Sequence, residues 1–258
     1  MVAYAVAQIS DLHVVPAGRW LNGDIDTAAF ARAAVDHLNH FTPQPDAVLA
    51  TGDLVDGGQT VDYENLRDLM APLRAPLWLL PGNHDDRRVL RSVFPGRPEL
   101  GGDGPVQFVI DGPLRVVALD SSRAGEAGGS LDAAQLAWLD ATLAAAPSTP
   151  TIVALHHPPM RIGIAELDDI RVPAADAAAL GAVLARSPQV RRVVCGHVHR
   201  GAVGALGGLP VFACPSVFLQ ARLDLAGGEI DLIPGAPAIG VHVLLDDGEV
   251  VSHVHPVG

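Results

Sequence analysis

Cysteine is nearly missing. Cys195 and Cys214 are the only two, and both lie in apolar, strand-like runs. A disulfide framework is therefore excluded, and two reduced, buried thiols are expected. Aromatic residues make up only 4% of the chain against 49% hydrophobic residues, so the core must be built mainly from Ala, Val and Leu. That composition suits α/β layers and excludes disorder. There is no basic stripe, and the net charge is −12. A groove that follows a nucleic-acid backbone is excluded on that balance. No apolar run reaches the roughly 18 residues that span a bilayer. The first strand, Val2 to Ile9, is preceded by no charged segment and no cleavage site. No signal peptide and no membrane partner are expected, and a cytoplasmic location is the default. Internal repeats and linkers are absent as well, so residues 1–258 read as a single domain with a core large enough to need no staples.

What is present is an alternation of strands and helices. Val2–Ile9, Ala47–Ala50 and Pro76–Leu80 read as strands, with helices expected over Asp26–Phe41, Val61–Leu73 and Val89–Phe94. The first helix shows Phe30, Ala34, Leu38 and Phe41 at helical spacing, and its His37 and His40 read as surface or packing residues. A hairpin is expected over Val106–Ile110 and Arg115–Leu119. Helix Asp132–Ala146, strand Thr151–Leu155, helix Ala174–Arg186 and strand Val190–Val194 follow. The remainder turns β-like, over Val203–Leu206, Leu209–Ala213, Ala238–Leu245 and Glu249–Val254, with a Gly-, Pro- and Asp-rich candidate flap at 222–237. Strand–helix alternation of this kind argues for parallel βα units and an α/β fold with two sheets covered by helices.

The polar residues at strand ends are of one kind. Asp11 and His13 follow the first strand, Asp53 the second, and Asn83 and His84 the third. His156 follows a later strand, and His197 and His199 follow another. Open α/β sheets place their chemistry at the carboxyl ends of their strands. Imidazole and carboxylate together suit first-row divalent ions, and the lack of cysteine argues against a soft thiolate site. A single Gly-Asp corner such as Gly52-Asp53 more often caps a loop, and a lone His-x-His pair is weak evidence. His253-x-His255 has that spacing with no Asp corner beside it and reads as a solvated strand face. Asp11-x-His13, His197-x-His199 and three further strand-end ligands together are hard to account for structurally.

In order, Asp-x-His, Gly-Asp, Gly-Asn-His-Asp, a lone His and Gly-His-x-His resemble the calcineurin-like metallophosphoesterases, from Asp11 to His199. Within them, Gly82-Asn83-His84-Asp85-Asp86, Asp120-Ser121-Ser122-Arg123-Ala124-Gly125 and His156-His157-Pro158-Pro159 look like the class III cyclic-nucleotide and glycerophosphodiester phosphodiesterases. The resemblance implies a four-layer α/β/β/α sandwich of two mixed sheets. It implies two divalent metal ions (Mn, Fe, Zn or Co), one held by Asp11, His13 and His199 and the other by Asn83, His156 and His197, with Asp53 bridging. Attack of a metal-bridging hydroxide on phosphorus would follow. Two divalent ions against two carboxylates and one hydroxide leave about one positive charge, which draws a phosphodiester to an acidic protein.

In this reading His84 is the general acid or electrostatic stabiliser of the leaving group. Asp85 either orients His84 or caps the following helix. His157 either supports His156 or packs, and Arg123 either reaches substrate phosphate or orders its loop. The expected partner is a small phosphodiester and not a nucleic-acid polymer. A homodimer or higher homo-oligomer is expected because such assemblies are common in that branch. Between Arg200 and Val241 there is no histidine, which tilts the substrate toward 3′,5′-cyclic nucleotides such as cAMP. Glycerophosphodiesters or a broad diester range are the alternative. A phosphomonoesterase, with Arg87-Arg88 as the candidate arginine pair, ranks lower, and a non-catalytic scaffold is disfavoured because every ligand is present.

Overall fold

The computed structural model describes residues 1–227 and 229–258. β1 (Val2–Ile9) and β2 (Ala47–Thr51) are near-continuous apolar runs, as strands covered on both faces must be. With β3 (Leu77–Leu80) they form three parallel strands, each followed by a helix: α1 (Thr27–His40), α2 (Thr60–Met70) and α3 (Arg87–Val93). The helix starts are fixed by side-chain caps. Asp26 accepts from the Ala29 N–H, and Asp86 accepts from those of Arg88 and Val89. α1 therefore begins after Asp26 rather than at it, and α3 begins two residues before the expected Val89.

The second half repeats the arrangement. β4 (Gln107–Ile110) and β5 (Arg115–Leu119) pair antiparallel. α4 (Ala133–Ala144), β6 (Thr151–Ala154), α5 (Ala165–Asp169), α6 (Ala174–Leu184) and β7 (Val190–Cys195) follow, then β8 (Ala202–Leu206) and β9 (Leu209–Ala213). A short hairpin of β10 (Leu219–Ala221) and β11 (Leu232–Pro234) precedes the closing strands β12 (Ala238–Leu245) and β13 (Val250–Pro256). One mixed sheet has the order β13-β12-β1-β2-β3 and the other β4-β5-β6-β7-β9-β8.

Side-chain alternation along the strands separates the layers. On β5, Val116 and Ala118 face the first sheet and join the core cluster that runs through that sheet to Leu38, Leu66 and Leu90 of α1, α2 and α3. Val117 and Leu119 pack the other way, with Leu139 of α4 and Leu180 of α6. The result is the expected four-layer α/β/β/α sandwich. Several features differ from expectation, among them a 3-10 turn at Pro98–Leu100 within the expected loop and the unexpected strand β10. The five-residue α5 went unread, and the 222–237 segment carries β11, which pairs with β10 just before it. Position 228 of that segment lies outside the described residues. Among the described residues, no helix is long and apolar enough to cross a membrane.

Candidate metal centre

The carboxyl ends of β1, β2, β3, β6 and β7 converge on one small volume. The loops there are tied to one another by backbone bonds: Asp11 N to Gly52 O at 3.0 Å, His13 N to Asp53 O at 2.9 Å, and Gly196 N to His156 O at 2.9 Å. Asp11, His13, Asp53, His156, His197 and His199 are all buried. Five of the expected ligands (Asp11, His13, Asp53, His197 and His199) have left-handed backbone, with φ between 43° and 71°. Such residues cost about 1–3 kcal/mol each and persist where the surroundings over-determine them. The glycines before two ligands leave no choice of residue. A Cβ on Gly52 would stand 2.3 Å from His156 Nδ1, and one on Gly82 would stand 2.2 Å from Asp53 Oδ1.

The side chains form two adjoining clusters. In one, His13 Nε2 is 3.1 Å from His199 Nε2 and 3.6 Å from Asp53 Oδ2, and His199 Nε2 is 3.7 Å from Asp11 Oδ1. In the other, His156 Nε2 is 3.1 Å from Asn83 Oδ1, 3.2 Å from His197 Nδ1 and 3.4 Å from Asp53 Oδ2. Asp53 Oδ2 thus stands between the two, while its Oδ1 accepts the His84 N–H at 3.0 Å. First-row metals bind N and O at about 2.0–2.2 Å, which sets neighbouring ligand atoms about 3–3.5 Å apart. Four of the six distances fall in that range, and the other two, at 3.6 and 3.7 Å, lie just above it. Asp11 Oδ2 is also buried without a hydrogen-bond partner, and an acceptor-only atom in that position is satisfied by a cation. The residues therefore fit two divalent ions.

The local electrostatics agree. Burial works against the Asp53 charge, but the His156, His13 and His84 imidazoles outweigh it and hold the carboxyl well below its usual range. Burial likewise disfavours charge on His156, yet Asp53 and Asp11 raise its pKa to about 9. The cluster thus stabilises positive charge at the place where ions would sit. His199 goes the other way, pushed down to about 4 mainly by burial, so it offers a neutral nitrogen as a ligand must.

The family model of the calcineurin-like phosphoesterases matches residues 4–201. The chain belongs to this family. It is 37% identical over 264 aligned positions to a cAMP/cGMP dual specificity phosphodiesterase of Mycobacterium tuberculosis, covering 99% of this chain and 80% of that protein. It is 39% identical over 197 positions to a glycerophosphodiester phosphodiesterase of Enterobacter lignolyticus, covering 75% and 70%. Among solved structures, a dimetal phosphatase from Danio rerio superposes with a TM-score of 0.74 at 17% identity, covering 100% and 98%. That last likeness concerns the fold alone.

The candidate ligands are held from behind. His13 Nδ1 lies 3.1 Å from Asp56 Oδ1, and His156 Nδ1 donates to Thr51 O at 2.7 Å. Each bond turns the opposite Nε2 toward the centre, where a bound ion would take the place of its proton. His84 is partly exposed and packs edge-on against His13, with ring centroids 4.5 Å apart. Its Nδ1 lies 3.0 Å from Asp56 O and 3.5 Å from Asp56 Oδ1.

Both expectations for Asp85 need correction. A turn closed by Asp85 N and Gly82 O directs the carboxylate back under the loop. There it accepts from Gly82 N at 2.8 Å, Leu54 N at 3.1 Å and Tyr63 Oη at 2.9 Å. Asp85 therefore neither orients His84 nor caps α3. Asp56 stands beside His84, and Asp86 is the cap. Burial and then Asp53 raise the Asp85 pKa to about 6.

Asp56, three residues beyond Asp53, was missed by sequence reasoning. Its only signal is the Gly57-Gly58 turn that follows it.

The remaining candidates divide cleanly. His157 has both ring nitrogens engaged, with Ser121 Oγ at 2.9 Å and Ala127 O at 3.1 Å, and its ring packs on His156 and His197. It supports the ligands and has no atom to spare for a metal. Arg123 pairs with Glu126 at 2.9 Å and orders its own loop. Arg87 is bound to Asp120 and Ser122, and Arg88 lies on the surface beside Asp86, so the two do not form a paired clamp. His255 packs against Phe41 and His37 rather than standing free in solvent, while His253 is exposed. Cys195 and Cys214 are buried and free, and burial pushes both thiols up.

Proposed function

We propose that this protein is a dinuclear metal-dependent phosphodiesterase acting on small phosphodiesters, with 3′,5′-cyclic nucleotides such as cAMP as the favoured substrates. The observation that carries the reading is Asp53 Oδ2, which lies 3.6 Å from His13 Nε2 and 3.4 Å from His156 Nε2 and so can serve both clusters. Asp11, His13 and His199 would hold one ion, and Asn83, His156 and His197 the other. Two bound divalent ions (Mn, Fe, Zn or Co) would supply Lewis acidity, activating a water and drawing charge from the phosphoryl oxygens. The residues do the rest. Left-handed backbone and buried packing hold the ligands without reorganisation. His84, whose Nδ1–H donates to Asp56 O, would turn Nε2 toward the departing oxygen; as the imidazolium it would give up the Nε2 proton and end as the neutral Nδ1–H tautomer.

The cyclic-nucleotide preference rests on the wall beside His84. A cavity of about 310 Å³ is lined there by Leu21, Leu167, Ile170, Phe218 and Ile230, a surface suited to a nucleobase and unneeded by glycerol. Glycerophosphodiesters are the second reading. On the other side of His84 a polar cavity of about 500 Å³, lined by Arg87, Arg88 and Gln59, offers hydroxyl-binding groups. A cytoplasmic location, a small-molecule partner and a homodimer or higher oligomer belong to the same proposal. Manganese-loaded protein assayed on 3′,5′-cAMP, 2′,3′-cAMP, glycerophosphodiesters and p-nitrophenyl mono- and diesters tests it. Diester turnover above monoester turnover, with 3′,5′-cAMP ahead of glycerophosphodiesters, is expected. Preferential cleavage of monoesters would contradict the reaction type, and faster glycerophosphodiester cleavage would contradict the substrate.

A further inference from the structure

Between the two sheets a chain of polar side chains crosses an otherwise apolar core and ends at the half-buried Ser252. Gln8 of β1 is fully buried and saturated. Its Nε2 donates to Thr51 Oγ1 on β2 at 2.8 Å and to Cys195 O on β7 at 3.0 Å. Its Oε1 faces His242 Nε2 on β12 at 3.0 Å, and His242 Nδ1 faces Ser252 Oγ on β13 at 2.7 Å. The carbonyl of Cys195 only accepts, which fixes the Gln8 amide orientation. That leaves Oε1 to accept from a His242 Nε2–H, so the Ser252 hydroxyl donates to Nδ1. Burial pushes the His242 pKa down to about 3, so this neutral tautomer holds at working pH.

Buried polar groups in a Val- and Leu-rich core are costly unless all are paired, and here all are. The placement of the contacts gives them a purpose beyond packing. Thr51 O is the acceptor that fixes His156, and Cys195 is two residues before His197. Gln8 therefore ties β1 in the first sheet to the supports of two ligands that belong to the second. The opposite cluster has supports of its own: His13 is held by Asp56, and Asp11 by Ser216, whose Oγ donates to Asp11 O at 3.0 Å, while Asp11 Oδ1 also accepts the His197 N–H at 3.0 Å.

We propose that Gln8, backed by His242 and Ser252, is a positioning residue that sets the register of His156 and His197 and so governs the ion held by Asn83, His156 and His197 selectively. This rests on the two-metal reading above.

Stepwise cobalt(II) titration of the chelator-treated full-length protein, followed by visible absorption, reads both sites. Turnover at limiting and excess cobalt is measured alongside. Gln8→Met keeps the length and removes every bond. It is expected to weaken one of the two binding steps about 10- to 100-fold, the usual cost of losing a ligand's support, and to leave the other unchanged, with Asn83→Ala marking which step belongs to the Asn83, His156 and His197 site. kcat should fall at limiting cobalt and recover in excess, with KM unmoved. His242→Phe leaves Gln8 in place without its donor and should act in the same direction more weakly. This keeps the test alive if Gln8→Met does not fold. Val243→Ala, a neighbouring core truncation outside the chain of bonds, should lower the melting temperature without separating the two steps. Unchanged binding steps in the folded Gln8 and His242 variants, or equal weakening of both steps, would overturn the proposal while leaving the metal centre intact. Failure of the unsubstituted protein to bind two cobalt ions would remove the two-metal reading and this inference together.

Discussion

Replacing Gly82 with Ala puts the steric argument of the site to a sharp test. A Cβ at that position would lie 2.2 Å from Asp53 Oδ1, 2.4 Å from Asp53 N and 2.8 Å from His156 Nε2. Rotation of the Asp53 side chain relieves the first contact, but the second is to backbone and can be relieved only by moving a loop. That loop is pinned through His13 N to Asp53 O and through His84 N to Asp53 Oδ1. Overpacking of this kind costs about 3 kcal/mol, the upper part of the usual range. In a chain of this size that is about 6–12 °C of melting temperature. The displaced atoms are the proposed ligands, so metal stoichiometry should fall too. Gly104→Ala is the control, because a Cβ there meets nothing within 4 Å. It should be neutral or stabilise by about 0.4–1 kcal/mol through the unfolded chain. Denaturant midpoints and metal content of the two variants measure this. A Gly82→Ala protein as stable and as well metallated as its parent would refute the reasoning.

His84→Ala should lower turnover about 10²- to 10⁴-fold for diesters with alkoxide leaving groups and much less for p-nitrophenolate, and equal losses would contradict the proton-donor role. Asp56→Asn weakens the hold on His13 Nδ1 and should cost about 10- to 100-fold in affinity at the Asp11, His13 and His199 site, read by metal titration. Buried His242 has its pKa lowered to about 3, so the unfolded chain binds the extra proton between that value and the ordinary histidine range. Stability should therefore fall as pH drops through that window, and His242→Phe should flatten the slope by up to about 1.4 kcal/mol per pH unit in denaturant titrations.

The candidate ligands were legible because each ends a strand, and parallel strands bring their carboxyl ends together whatever the intervening helices do. That two sheets are covered by helices was legible for a related reason: Val6–Ile9 and Ala47–Thr51 are apolar enough to be buried on both faces, while the order of the four layers came from the family resemblance. What was not legible depends on where turns aim side chains. Asp85 follows His84 in sequence, but the turn at Gly82 sends its carboxylate toward Leu54 and Tyr63. Asp56 reaches His13 only because the Asp53 loop folds back beneath β1. Gln8 sits within a strand whose neighbours are apolar, and nothing in the period marks a polar residue that spans two sheets. The β10–β11 hairpin was missed because two three-residue strands carry too little alternation to register.

The central claim is that Asp53 serves two ions at once, and metal content per chain of Asp53→Ala against the unsubstituted protein tests it most directly. With Asn83→Ala as a comparison, elemental analysis after dialysis should find about two equivalents in the parent. The Asn83 variant should lose mainly one ion, and the Asp53 variant should lose both. Two tightly bound ions retained by Asp53→Ala would contradict the account.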